Sequence, residues 1–343
     1  MKIPPSQVCV CVPTYNAERT LAETLESILC QTYPHLKIIV VDNASTDSTL
    51  QIADAFALKD PRVRVSRNSE NIGGEGNFTR CINLASGDYT AIFHSDDIYS
   101  HEMVARQVEF LDNNPGAGAV FTMAVNIDSN GKEGKVHSLP HELGAGLPGP
   151  YNFAAIFKAM LRNGNFIFCP GAMVRTSVYK EDVKVWDIGL YSTSSDADVW
   201  LRILKKHPVG IIDAPLLKYR VGQASFSYHA SRLRTAPHDM LKVFREYLDG
   251  YASDIAGDPE LRDFRLLELK DTITRGFNLL VSGCRREASS LLHALFRFQV
   301  VLDVLSRPDF LKILCYGYFV YVLSLIPLSA GLRASLTRAR YGK

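Results

Sequence analysis

The chain has almost no surplus of charge. Its 38 Lys and Arg stand against 36 Asp and Glu, a formal net charge of +2. That is too small for the basic footprint of a nucleic-acid binder. It also lacks a cysteine pattern: seven cysteines are scattered and odd in number, with neither metal-ligand spacing nor a disulfide framework. A reduced, cytoplasmic setting fits that usage. Nothing at the start resembles a secretory leader, because Met1 to Gln7 is polar and the next apolar run reads as a strand. Cys9 and Cys11 lie two apart on that strand, so they share one face as buried free thiols.

What is present from residue 8 to 126 is a regular alternation of strand and helix. Strands are expected at Val8 to Val12, Leu36 to Val41, Val63 to Val65, Tyr89 to Phe93 and Ala117 to Val125. Helices are expected at about 18–30, 48–58, 76–85 and 101–113, the first carrying Leu21, Leu25, Ile28 and Leu29 at helical spacing. This order implies a doubly wound, largely parallel α/β sheet with right-handed crossovers. Such sheets commonly take dinucleotides on G-x-G-x-x-G after the first strand. Here that position reads Pro13-Thr-Tyr-Asn16, so no glycine turn brings a helix against a pyrophosphate. Asp42, closing the second strand, can still reach a ribose or a base edge.

The most informative stretch is Tyr89-Thr-Ala-Ile-Phe-His-Ser-Asp-Asp97. Asp96 and Asp97 follow a buried strand, at the sheet edge where ligands of this architecture bind. Two crowded carboxylates fit a divalent cation, and oxygen ligands favour Mg²⁺ or Mn²⁺ bridging to phosphates. The plain alternative is that both acids open the following helix.

Pro13-Thr-Tyr-Asn16, Val41-Asp-Asn-Ala-Ser-Thr-Asp47, Asn71-Ile-Gly73, Ser86-Gly-Asp88 and Ser95-Asp-Asp97 occur in the order and spacing of family 2 glycosyltransferases, which the chain resembles over roughly residues 6 to 225. Gly171-Ala-Met-Val-Arg175, Ser195-Asp-Ala-Asp-Val-Trp-Leu-Arg202 and Tyr219-Arg220 resemble the family's later segments. The resemblance implies an inverting enzyme of GT-A fold. It implies a nucleotide-diphospho-sugar donor, a UDP-sugar first, and a saccharide or lipid-linked saccharide acceptor in surface polysaccharide synthesis. Donor contacts then fall to Pro13, Thr14, Tyr15, Asn16, Asp42, Arg67, Asn71, Gly73, Asp96 and Arg220. Asp97, with Asp96, would hold the metal, and Asp196 would be the catalytic base. Ser195 stands where the family usually has Glu, and the histidine often found after the Tyr-Arg pair is missing from Val221-Gly-Gln-Ala-Ser. Read on its own, Asp196 or Ser195 is also an ordinary helix N-cap, and Asp198 packs or caps.

Three parts are expected: 1–127 for the donor, 128–230 for the acceptor and catalysis, and a helical 231–343. Residues 130 to 150, rich in Gly and Pro, read as a loop beside the acceptor cleft, its His137, His141 and Glu142 solvated. Ile313 to Leu332 carries no charge over about 20 residues, long enough to span a bilayer. Arg333, Arg338, Arg340 and Lys343 follow it. A span would set them against the positive-inside tendency. An in-plane helix on the inner membrane face, its arginines on anionic headgroups, is therefore expected; docking on the protein itself is the alternative. Two other readings stay open: a nucleotidyltransferase, distinguished by pyrophosphate release, and a non-catalytic sugar-nucleotide or glycan binder.

Overall fold

The expected alternation condenses into one nine-stranded sheet in the computed structural model, which describes residues 4–144, 149–187, 189–191, 193–222 and 232–341. The strands are β1 Val8–Thr14, β2 Leu36–Asp42, β3 Val63–Arg67, β4 Tyr89–Ile92, β5 Ile98–Tyr99, β6 Ala119–Ile127, β7 Glu133–Val136, β8 Ala172–Arg175 and β9 Val209–Arg220. They lie in the order β3-β2-β1-β4-β8-β6-β9-β5, with β7 beside β6. β1 is parallel to β2 and β4, β2 to β3, and β6 to β9. β8 enters antiparallel to both β4 and β6, which leaves those two strands running the same way.

β1 is central because nothing on it needs water: Val8 to Val12 are all at most 1% exposed, as expected of a strand covered on both faces. Cys9 and Cys11 are free, buried thiols on one face. Helices α1 Leu21–Leu29, α2 Thr49–Lys59, α3 Gly73–Leu84, α4 Met103–Asn113 and α5 Phe153–Asn163 follow, then the single turn α6 Thr176–Val178 and α7 Ser195–Leu204. Leu21, Leu25 and Ile28 are fully buried, the apolar stripe that their spacing predicts.

Two boundaries differ from expectation for identifiable reasons. α3 begins at Gly73, before Gly76, because the Asn71 side chain accepts the Gly73 amide at 2.9 Å and satisfies one of the orphan donors of the first turn. Within 130–150, Glu133–Val136 pairs with β6 instead of looping. The Asp128 carboxylate accepts the amides of Asn130 and Lys132, and Gly131 takes φ +79°, which makes the hairpin turn. Residues 145–148 of that segment lie outside the described residues.

Contacts divide the chain into two compact units, Met1–Phe157 with Asn165–Gly222 and Lys158–Gly164 with Gln223–Lys343. The second unit has its own core, in which Leu266, Ile273, Phe277, Leu292, Leu314 and Val320 are buried. The charge-free 313–332 stretch is not one element here. A helix runs Leu311–Leu325, the chain breaks around Pro327, and a second helix runs Ala330–Tyr341. Among the described residues one helical stretch, Pro308–Leu325, is long and apolar enough to cross a membrane. Its Leu314, Gly317, Val320 and Ser324 are buried in the unit's own core, while Leu311, Phe319, Val322 and Leu325 are exposed. One face is docked on the protein and the opposite face is bare.

Candidate active site

The loop between β4 and β5 is fixed by its carbonyls. His94 O accepts the Tyr99 hydroxyl at 3.1 Å, and Ser95 O accepts Thr20 Oγ1 at 2.9 Å. Asp96 O accepts Arg220 Nε at 2.8 Å, and Asp97 O accepts Thr24 Oγ1 at 2.8 Å. The Phe93 and Tyr99 rings stack with centroids 3.9 Å apart, closing the excursion from below. Four consecutive carbonyls are thus held by side chains of α1, of Thr20 just before it, of β5 and of β9.

Three side chains of this loop converge. Ligating atoms of His94, Asp96 and Asp97 lie within 4.8 Å of one another, and this is the one such group of three among the described residues. Asp97 is 0% exposed. Its Oδ1 accepts the Arg220 amide at 2.7 Å, whereas its Oδ2 is buried with no hydrogen-bond partner, 3.9 Å from His94 Nδ1. Burial pushes the Asp97 carboxyl well above the usual range; the Asp96 charge adds to this and Arg220 opposes it. Burial also pushes the His94 imidazole down, against the Asp96 charge. A neutral imidazole and two carboxylates around an unsatisfied buried oxygen fit a divalent cation, whose charge would favour the ionised acids. Sequence reasoning passed over His94. The signal was its position three residues before Asp97 at a strand end.

The expected donor residues gather at the ends of β1 and β2. Pro13 and Thr14 close β1, paired with Val41 and Asp42. Asn16 takes φ +51°, its amide donates to Ser45 Oγ and its Oδ1 accepts the Thr46 amide at 2.9 Å. Tyr15, between them, is 48% exposed, and so is available for a base or a ribose to pack on. Asp42 is 2% exposed, with Oδ2 accepting the Ser45 amide and Oδ1 unpartnered. Asn71 and Gly73 are drawn in by the Asn43 amide, at 2.8 and 3.1 Å. Arg67 is placed otherwise: its guanidinium is ion-paired with Asp54 and exposed. Arg220 binds Glu23 at 2.7 Å and Asp128 O at 3.1 Å besides its hold on the loop. Glu23 is another partner that the sequence reading missed.

α7 carries Asp196, the expected base. Its Leu201 and Leu204 are buried, and Trp200 meets Phe121 and Trp186 edge-on. Ser195 Oγ donates to Tyr191 O at 2.6 Å, so the residue standing in for Glu is used to tie down the preceding loop. Asp198 is paired with Arg202 at 2.8 Å and serves the helix. Asp196 accepts from Asn165 Nδ2 at 3.1 Å. Burial pushes its carboxyl up to about 6, the Ala197 amide and Asn165 opposing. Cys169 lies in the stretch that precedes β8. Its thiol is pushed well up by burial and then by the negative charges of Asp196 and of Asp97, so both carboxylates act on one side chain. Asn165 and Cys169 were not foreseen; both lie in the stretch before the Gly171–Arg175 motif.

His137 is held by Asn126 at 3.0 Å and lies edge-on to Phe168, while His141 pairs with Glu142 at 3.0 Å. The segment after Gly222, where the family carries a histidine, lies outside the described residues.

The family profile described as Glycosyl transferase family 2 matches residues 9–182. The chain belongs to glycosyl transferase family 2. An uncharacterised glycosyltransferase of Methanocaldococcus jannaschii is 31% identical to this family 2 member over 217 residues, 62% of this chain and 70% of that protein. The poly(ribitol-phosphate) beta-N-acetylglucosaminyltransferase TarS of Staphylococcus aureus is 25% identical over 282 residues, 79% of this chain and 46% of TarS. Among solved structures, TarS 1–349 in complex with UDP-GlcNAc superposes with a TM-score of 0.54 at 17% identity, covering 98% of this chain and 92% of that one. The mannosyltransferase PcManGT of Pyrobaculum calidifontis, in complex with GDP-Man and Mn²⁺, gives a TM-score of 0.56 at 19% identity, covering 93% and 87%. These likenesses establish the GT-A type of α/β fold that the sequence motifs implied.

Proposed function

We propose that this family 2 member transfers a sugar from a nucleotide-diphosphate donor to a saccharide or lipid-linked saccharide acceptor, with inversion, in the assembly of a surface polysaccharide. The observation that carries this reading is the convergence of His94, Asp96 and Asp97 at the end of β4, with Arg220 bonded to the same loop. In this reading Asp196, bonded to Asn165, serves the acceptor side. TarS and PcManGT, whose structures hold UDP-GlcNAc and GDP-Man, support a nucleotide sugar as donor, with a UDP-sugar the first to test.

The base and ribose pack at Pro13, Thr14, Tyr15 and Asn16, with the free Oδ1 of Asp42 accepting from the base and Asn71 and Gly73 bounding the pocket. Arg67 reaches the donor only by leaving Asp54. Asp97, Asp96 and His94 would hold Mg²⁺ or Mn²⁺, which supplies positive charge to the diphosphate oxygens when bound. Arg220 adds its guanidinium on the same side. Asp196, ionised above its value of about 6, takes the proton from the acceptor hydroxyl as that oxygen attacks the anomeric carbon opposite the leaving group. A positioned base of this kind contributes on the order of 10² to 10⁴ in rate. In this reading 1–127 serves the donor, 128–230 the acceptor, and the helical 231–343 rests on the inner face of the membrane.

Thermal-shift screening of nucleotide sugars with and without Mn²⁺ tests the donor side. Stabilisation by one nucleotide sugar that needs the cation is expected, with nucleoside diphosphate and not pyrophosphate released on turnover. No stabilisation by any of them contradicts the reading.

A further inference from the structure

The C-terminal unit carries a feature that sugar transfer does not use. Leu311, Phe319, Val322 and Leu325 form the bare face of the Leu311–Leu325 helix. At the end of that helix a cleft of about 210 Å³ is lined by Leu280, Gly283, Arg285, Pro327, Leu328 and Arg333. Arg285 donates one bond to Leu325 O at 2.9 Å. A guanidinium has five N–H donors, so the rest of its fork is uncommitted. The Arg333 Nε is buried with no partner, and no acidic side chain pairs with Arg285 or Arg333 among the described residues.

Gly283 makes the arrangement fit. It takes φ +89°, which favours glycine, and the Arg333 guanidinium lies against it, 2.2 Å from where a Cβ would stand. From Gly283 to Tyr341 the sequence has eight Lys or Arg and three Asp or Glu. Asp303 is taken by Arg265 and Asp309 by Arg307. The third acid, Glu287, is exposed and forms no ion pair with Arg285 or Arg333 among the described residues, so an apolar face runs into a basic cleft.

We propose that this cleft binds the phosphate of an anionic phospholipid while the bare face of the Leu311–Leu325 helix enters the headgroup boundary. Charge complementarity decides the occupant. Two forked cations with unused donors suit phosphate oxygens, and the apolar stripe beside them suits acyl chains, as in helices that lie in a membrane surface. The inference rests on the membrane-facing role assigned above and gives it a named contact.

Co-sedimentation of the full chain with vesicles tests it, using phosphatidylcholine alone and a phosphatidylcholine–phosphatidylglycerol mixture. Wild type is expected to bind the mixture, to leave phosphatidylcholine alone in solution, and to release with rising salt. The double variant R285Q/R333Q should bind the mixture about 30-fold more weakly, since each basic residue near such a surface is worth roughly a factor of five. F319S/V322S alters exposed positions only and should also bind more weakly with an unchanged melting temperature. Equal binding of the two vesicles, or of wild type and R285Q/R333Q, overturns the proposal. So does stabilisation of wild type by inorganic phosphate without binding to either vesicle, which would make the cleft a site for soluble phosphate. Vesicle binding that ignores the two arginines removes the cleft but keeps the membrane role; no vesicle binding removes both. Transfer to a soluble acceptor is measured separately and reports on the glycosyltransferase reading alone.

Discussion

The backbone amide of Arg220 donates to Oδ1 of Asp97 at 2.7 Å, joining the last residue of β9 to a loop 123 positions earlier. The same residue's Nε holds Asp96 O. β9 reaches this point because its register against β6 shifts between Thr122 and Ala124, which bends the strand as an irregularity of this kind does. One arginine therefore sets the shape of the loop and supplies charge beside it. Arg220→Ala should weaken nucleotide-sugar affinity by at least about 10-fold, the range for losing a charge-assisted contact. Calorimetry checks this, and unchanged affinity would deny Arg220 a donor role.

Oδ2 of Asp97 is the buried acceptor left open. A cation that binds only the folded chain raises its melting temperature by mass action. Asp97→Asn should abolish the rise expected with Mn²⁺ without lowering the metal-free melting temperature, because a neutral amide is cheaper to bury than a carboxyl that must ionise. An imidazole favours transition metals, whereas Mg²⁺ keeps to oxygen. His94→Ala should accordingly lose more Mn²⁺ than Mg²⁺ affinity. Titration calorimetry with each ion reads both effects.

The base must be ionised to accept a proton. Asp196 sits at about 6, so kcat/KM for transfer should climb roughly tenfold per pH unit below that value and level off above it. Asn165 favours the charged form by its hydrogen bond. Asn165→Ala should therefore move the rising limb to higher pH, which a pH–rate profile shows directly. A limb that stays in place would separate Asn165 from the base.

Packing beneath the site allows one sharp test. A Cβ on Gly210 of β9 would stand 2.2 Å from the Phe110 ring of α4. Gly210→Ala should cost about 1–3 kcal/mol through overpacking, read as a lowered melting temperature. An unchanged melting temperature would mean that Phe110 moves freely, contrary to its burial.

Much of this was legible in the residues. The fully apolar Val8–Val12 strand and the spacing of Leu21, Leu25 and Ile28 are local patterns, and the fold follows them. Asp96 and Asp97 were legible because two acids at a strand end violate the local rule that like charges separate. His94, Glu23, Asn165 and Cys169 were not. Glu23, Asn165 and Cys169 acquire their meaning from partners tens of residues away, through a loop or a bent strand whose path no local propensity dictates. His94, by contrast, has its partners two and three residues on and was simply passed over. Arg67 shows the converse: its place at the strand end was readable, but its pairing with Asp54 on α2 depends on how the helix packs. The charge-free 313–332 stretch was readable in composition and not in shape, because Pro327 breaks it and half of its first helix is used by the protein's own core.

The account depends most on the division of labour between the two carboxylates. The direct measurement is donor affinity and transfer rate side by side for wild type and Asp196→Asn, using the nucleotide sugar found by thermal shift. Donor affinity near wild type with transfer reduced by about 10²-fold or more is predicted. Transfer that survives the substitution, or donor binding that disappears with it, would contradict the account.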